Sequence, residues 1–326
     1  MSIKTYKQAT WEAMKEEMLR DSTVYAIAED MRGTGGLLGQ YTGLGDAIGD
    51  ESRLLDAPIS ETAIVASGVG AALAGMRPVV DLRFSNCMFV CMDEIINQAA
   101  KSRYMFGGQG KVHMVIRSTD GILAMQGAHH TDCLDAWFAH VPGLQVVLPS
   151  GPAEAKGLLK TAIRNDNPVV FLEHKALYAM EEEVPDEEYT LPFKARIVRE
   201  GTDVTIVVYS IMVSRAMEAA KALAEAGISA VVIDLRSISP WDKEAVLASV
   251  AKTGHAVVAT EGPKQGGFGG EISATIAEEA FSSLKAPVQR LGGPFVPIPV
   301  APNLEDLCRV TPAGIAAAAK AALGRA

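Results

Sequence analysis

The sequence predicts an α/β protein of two domains, the first built on a doubly wound parallel sheet. Three observations lead there. Apolar runs of strand length alternate with longer stretches at helical spacing from about residue 24 to residue 173. The clearest unit, residues 54–84 (LLDAPISETAIVASGVGAALAGMRPVVDLRF), reads strand, turn, helix, turn, strand, which is a βαβ crossover and so belongs to a parallel sheet. The chain has 326 residues, too many for one ordinary core and enough for two. After an acidic run the alternation resumes on a smaller scale, so the expected division is 1–180, a linker over 181–199, and 200–326.

The elements follow in order. Tyr6 to Arg20 has Ala9, Ala13 and Met14 on one side and reads as a helix; Val24 to Ala28 is a short buried strand. Gly33 to Gly49 is glycine-rich without a Walker lysine, which excludes a P-loop and favours a mobile surface loop. The run Leu54 to Ile59 is a strand, residues 62–74 a helix of small residues stopped by Gly75, and Val79 to Leu82 a buried strand. Met92 to Tyr104 carries Ile95, Ile96, Ala99, Ala100 and Tyr104 at helical spacing. Val112 to Arg117 is a strand, Thr119 to Ala128 a loop leading into His129-His130, and Ala136 to His140 helical. A strand within PGLQVVLPS, a helix over 153–164 and a strand over 168–173 complete the first domain. The run MEEEVPDEEYTLP reads as a solvated linker. Strands over 204–209, 231–235 and 256–260 then alternate with helices over 214–226, 242–252 and 270–280.

Composition narrows the function classes. Hydrophobic residues are 48% and charged ones 21% of the chain, a globular balance. The formal net charge of −9 argues against nucleic acid and anionic membrane as partners. The N-terminal stretch MSIKTYKQATWEAMKEEM is an amphipathic helix without the apolar core of a signal peptide, and no run reaches the length of a membrane span. Four cysteines, Cys87, Cys91, Cys133 and Cys308, are too few for a disulfide scaffold and suit free thiols in a reducing compartment, so a cytoplasmic location is expected.

Few residues carry chemistry on their own evidence. Glu61 follows a strand and opens a helix, where a carboxylate is stabilised by unpaired amides; it also lies where a parallel sheet binds its ligand. His129, His130 and Cys133 give only a local ligand spacing, and structural zinc wants four ligands. Cys87 and Cys91 read as buried packing, and RNDNP as a helix end and turn.

The motifs DAPISE, GAALAGMRPV, NQAAKSRYMFGG, HHTDCLDAWFAHVPGLQVVLPS and VVIDLRSISPWD, in this order, resemble one family: the beta subunits of the thiamine-diphosphate-dependent decarboxylating component of 2-oxo acid dehydrogenase complexes, with pyruvate, branched-chain and acetoin versions. The resemblance runs from about Tyr6 to the end of the chain. It implies a pyrimidine-binding first domain and a transketolase-type C-terminal domain. It implies that Glu61 bonds a ring nitrogen of thiamine diphosphate, favouring the imino tautomer that takes the thiazolium proton, with Ile59 against the same ring. Position 87 usually holds an aromatic residue stacked on that ring; here it is Cys87, and Asp81 stands where glutamate is usual. His130 matches an active-site histidine that faces the substrate and the lipoyl arm, with a role in proton transfer or anion stabilisation. Carbonyls of Met114, Ala162, Ile163, Asn165 and Asn167 match a potassium site, with Asn165 in place of an aspartate.

The diphosphate-binding stretch with its magnesium ligands is missing from this sequence and lies, in the family, on an alpha subunit. The resemblance therefore implies an alpha2-beta2 heterotetramer that shares thiamine diphosphate, a lipoyl-bearing acyltransferase as partner, and a small 2-oxo acid or acetoin as substrate. FGGQ and PNLEDL lean toward the acetoin branch. The alternatives are a split transketolase-like ketol transferase and a non-catalytic assembly subunit.

Overall fold

Buried β-branched runs and amphipathic stretches alternate along the chain, and they sort into two units. Met1–Asp120 with Trp137–Pro192 form one, and Gly121–Ala136 with Phe193–Ala326 the other. The computed structural model describes residues 1–123 and 125–325; Ala124, which falls in the loop expected over 119–128, and Ala326 lie outside them.

The first unit contains β1 (Ser2–Thr5), α1 (Tyr6–Arg20), β2 (Val24–Glu29), β3 (Leu54–Ala57), α2 (Glu61–Leu73), β4 (Arg77–Phe84), β5 (Val115–Asp120), β6 (Gln145–Val147), α3 (Pro152–Arg164), β7 (Val169–His174) and β8 (Glu181–Val184). Six of its strands pair in parallel in the order β6-β7-β5-β4-β2-β3. The central strands are buried along their length, which is why Val79-Val80, Val115-Ile116 and Val169-Val170 read as continuous apolar runs. From β2 the chain passes to β3 on one side and then to β4 on the other. The carboxyl ends of β2 and β4 therefore flank the point where strand order reverses, the place at which open parallel sheets bind ligands.

Three expectations are corrected in this unit. The acidic run is not a solvated spacer at its start: β8 pairs antiparallel with β1. Glu182 accepts the Ala153 amide at the head of α3 at 2.6 Å, and Glu188 meets Arg164 at 2.5 Å. Charge runs look solvated in sequence because their counter-charges are distant in the chain. The stretch expected as a helix over 92–104 is helical but irregular: a 3-10 stretch, Ser85–Cys91, precedes it, its centre is a π-helical stretch, Glu94–Ala99, and it closes with one turn, Ser102–Met105. Apolar spacing reported the core side for Ile95, Ala99 and Ala100, which are buried, but not for Tyr104, which is exposed, and it does not report hydrogen-bond pitch. The glycine-rich segment is anchored: Gln40, Tyr41 and Leu44 are buried, and the Tyr41 hydroxyl donates to Asp81 at 2.8 Å.

The second unit contains β9 (Arg196–Arg199), β10 (Val204–Val208), α4 (Met212–Glu225), β11 (Ala230–Asp234), α5 (Lys243–Thr253), β12 (Ala256–Pro263), α6 (Gly269–Glu279), β13 (Gln289–Gly293) and α7 (Pro312–Ala322). Its sheet runs β13-β12-β10-β11-β9, parallel except for β9. Val204, Ile206 and Val208 pack with Met212, Ala216 and Leu223 of α4 and with Ile315 and Ala319 of α7. Among the described residues no helix is long and apolar enough to cross a membrane.

Candidate active site

Glu61 owes its place to the turn that precedes it. β3 ends at Ala57, Pro58 cannot continue the ladder, and α2 begins at Glu61 itself. Ser60 is the cap residue, yet its side chain makes no capping bond. Its backbone amide is instead bonded by the carboxylate of Glu29, at the carboxyl end of β2. Glu29 thus takes the amide of the cap residue, and the Glu61 carboxylate is partly exposed at the head of the helix. Within α2, Gly68 is required by packing: a Cβ there would come within 2.6 Å of a Val80 methyl and 3.1 Å of the Met114 methyl. The glycine lets the helix lie close on the sheet and fixes where its first turn sits.

Cys87 stands beside Glu61. Burial pushes its thiol up to about 11, and the neighbouring Glu61 carboxylate, which accepts its hydrogen bond, adds to the rise. Burial likewise pushes Cys91 up to about 12. Both are neutral thiols at physiological pH, the opposite of reactive thiolates. Ile59 is 79% exposed, two residues before Glu61. The Thr62 hydroxyl donates to the Val90 carbonyl at 3.0 Å, tying the head of α2 to the segment that carries Cys87.

Sequence reasoning missed Glu29 and Arg83. Glu29 is buried, and its carboxyl is raised by burial first and then by the charge of Glu61. Arg83 opposes that rise, with its Nε 3.4 Å from Glu29, and also pairs with Asp30. The signal was available: both residues lie at the carboxyl ends of strands adjacent at the reversal point. From local sequence Glu29 is only the residue that follows the short strand over 24–28.

Asp81 turns out to serve the frame. It is buried, accepts from Tyr41 and from Gln40 (3.2 Å), and lies 3.9 Å from Arg117, which pairs with Glu173. The phenylalanines near Cys87 have their own neighbours: the Lys175 ammonium lies 5.3 Å from the Phe84 ring, and Phe89 meets Trp137 edge-on at 5.2 Å.

The five residues expected around a potassium ion all lie in the first unit, but the carbonyls of Met114, Ala162, Ile163 and Asn165 already have donors. Ile163 and Asn165 each accept from Nη1 of Arg77 at 3.0 Å. Ala162 accepts the Asn165 amide at 3.2 Å and Met114 the Val169 amide at 3.0 Å. The Asn167 amide donates to the Asn165 side chain at 2.9 Å. The same arginine reaches Asp166 at 3.1 Å, so a guanidinium already supplies positive charge at this turn.

Thus Ile59, Glu61 and Cys87 are brought together in the first unit. His130 belongs to the segment Gly121–Ala136, which groups with the second unit. It sits in a turn, its amide donating to the Gly127 carbonyl at 3.2 Å, and is partly buried.

Comparison with known proteins also divides the chain in two, but by sequence it keeps 121–136 with the first part. Residues 3–181 match the transketolase pyrimidine binding domain, and residues 193–315 the transketolase C-terminal domain. The chain is 47% identical to the acetoin:2,6-dichlorophenolindophenol oxidoreductase subunit beta of Cupriavidus necator, over 96% of each. It is 41% identical to the 2-oxoisovalerate dehydrogenase subunit beta of Bacillus subtilis, over 98% of each. Identity to the mitochondrial pyruvate dehydrogenase E1 component subunit beta-2 of Oryza sativa subsp. japonica is 45%, over 99% of this chain and 87% of that one. Among solved structures, a split gene transketolase, described as an inactive beta4 tetramer, superposes with a TM-score of 0.81 at 24% identity, over 98% of each chain.

Proposed function

This chain belongs to the family of transketolase-type beta subunits of thiamine-diphosphate-dependent 2-oxo acid and acetoin dehydrogenases, and we propose that it contributes the pyrimidine-binding half of such an enzyme's active site. In this reading residues 1–180 are the pyrimidine-binding domain and 200–326 the C-terminal domain, and the stretch 181–199 between them lends a strand at each end, β8 and β9, to the units it joins. The complete enzyme is an oxidoreductase, an alpha2-beta2 assembly in the cytoplasm. Its alpha subunit holds the diphosphate and the magnesium ion. The acyl group of a 2-oxo acid or of acetoin passes to the lipoyl group of an acyltransferase.

The observation that carries this reading is the Glu61 carboxylate, partly exposed at the head of α2 and next to a neutral thiol and an exposed apolar side chain. That donor set fits an aminopyrimidine, which offers a ring nitrogen to hydrogen-bond and two apolar faces. When bound, thiamine diphosphate supplies a carbon nucleophile for the substrate's oxo carbon. Glu61 holds the proton on the ring nitrogen, and Ile59 and Cys87 border the ring. His130 moves a proton on the substrate side. The split transketolase is under 25% identical and supports the fold alone, so it gives the ketol-transfer alternative no weight.

The test is co-expression with an alpha subunit of the same family, followed by a screen of 2-oxo acids and acetoin with an artificial electron acceptor. Turnover of one of these substrates, dependent on thiamine diphosphate, is expected. Turnover only with ketose phosphates would replace this reading with the transketolase one. The purified beta chain alone is expected to be inactive and to bind thiamine diphosphate with magnesium only weakly in calorimetry. Tight stoichiometric binding would refute the divided site.

A potassium ion among the carbonyls of Met114, Ala162, Ile163, Asn165 and Asn167 must share two of them with Arg77. Two cations on shared oxygens repel each other at close range. We therefore expect Arg77 to serve in the ion's place, with equal melting temperatures in potassium chloride and in choline chloride at one ionic strength. A potassium-specific rise that persists in Arg77→Met would restore the metal site.

A further inference from the structure

The segment that carries His130 is fastened to the second unit by two buried carboxylates. Glu261, in β12, accepts the Ile122 amide at 3.0 Å and the Cys133 thiol at 3.7 Å, and it pairs with Arg215 at 2.8 Å. Glu305 accepts the Met125 amide at 2.8 Å and pairs with Arg309 at 2.5 Å, and Arg309 in turn donates to the Ile122 carbonyl at 3.0 Å. Both carboxylates are buried, at 6% and 3% exposure, in a setting where a lost partner is costly. Further along, the Tyr209 hydroxyl donates to Asp135.

This fastening is placed where the backbone resists. Met125 has φ of +58°, a left-handed conformation that side-chain-bearing residues adopt at a cost. Such a conformation persists when its surroundings determine it, and here the determinant is the Glu305 carboxylate on the Met125 amide. Two residues on, Gly127 also has positive φ, and a Cβ there would come within 2.8 Å of a Val300 methyl. The Gly127 carbonyl accepts both the His130 amide, at 3.2 Å, and the Thr131 hydroxyl, at 2.5 Å. The turn that presents His130 is thus built on backbone that Glu305 and Glu261 hold in place.

We infer that Glu261 and Glu305 are positioning residues that set His130 in its working orientation, and that the C-terminal unit thereby governs a step of the reaction without touching substrate. The inference rests on the proposed role of His130.

Glu305→Ala removes the acceptor, whereas Glu305→Gln keeps an amide oxygen for the Met125 N–H. Hydrogen–deuterium exchange on the full chain reads the clasp directly. In Glu305→Ala, uptake by peptides covering 121–136 is expected to quicken about tenfold or more, with β10 and α4 unchanged. Glu305→Gln should stay within about twofold of wild type. In the complex with the alpha subunit, Glu305→Ala should lower kcat about tenfold or more and leave cofactor affinity unchanged. In a His130→Ala background it should lower kcat no further, because a residue acting through His130 has nothing left to position. Glu261→Gln, which keeps an acceptor but loses the Arg215 ion pair, should show the same lack of additivity.

Unchanged uptake in Glu305→Ala overturns the clasp. Losses that multiply in the His130→Ala background overturn the positioning role, as does loosened uptake with normal turnover while His130→Ala is impaired. If His130→Ala itself turns over normally, the role assigned to His130 falls, whatever the exchange data show.

Discussion

In Glu61→Gln, assembled with its alpha subunit, proton–deuteron exchange at the thiazolium carbon is expected to slow by about two to four orders of magnitude, with turnover falling in step. The substitution keeps size and hydrogen-bonding capacity and removes the negative charge that holds a proton on the ring nitrogen. The fold should tolerate it. The Glu29 contact with the Ser60 amide at the cap is untouched, and the Cys87 thiol still finds an acceptor in the glutamine oxygen. A first-turn charge contributes only about 0.3–1 kcal/mol to a helix, so melting temperature and subunit assembly should change little. Quenched-flow NMR isolates the exchange step from the chemistry of the substrate. Exchange at the wild-type rate would mean that Glu61 is merely a first-turn carboxylate, and a non-catalytic assembly role would become the better account of this chain.

His130→Ala should separate from this cleanly. The thiazolium exchange rate and cofactor affinity are expected to be those of wild type, because the ring-binding group in the first unit is intact. Turnover should fall by about two to four orders of magnitude, the range for loss of a general acid or base. The pair of variants therefore divides the reaction into a cofactor-side step and a substrate-side step. Single-turnover acyl transfer to a lipoyl acceptor is the measurement, and a wild-type rate would remove His130 from the reaction.

The sequence by itself determined the architecture and the identity of the chemical groups. The buried central strands in parallel register follow from continuous β-branched runs, because a strand covered on both faces has no polar side to display. DAPISE announced that a carboxylate would open a helix at the ligand-binding edge, since strand, proline turn and helix follow from local rules. What the sequence left undecided were pairings across long separations. The acidic run could not be seen to meet Arg164 and the head of α3, nor Tyr41 to anchor a glycine-rich loop on Asp81. The π-helical turn over Glu94–Ala99 was hidden because apolar spacing records a face and not a hydrogen-bond register. Glu29 looked like the end of a strand until the sheet set it against Ser60 and Arg83. The His130 turn read as a loop of the first domain, and only tertiary structure assigned it to the second unit, through Glu261 and Glu305, which lie 139 and 180 residues from the amides they hold. The physical reason is common to all of these: propensity and periodicity are local, whereas a buried charge is placed by the partner that satisfies it, and that partner is distant along the chain.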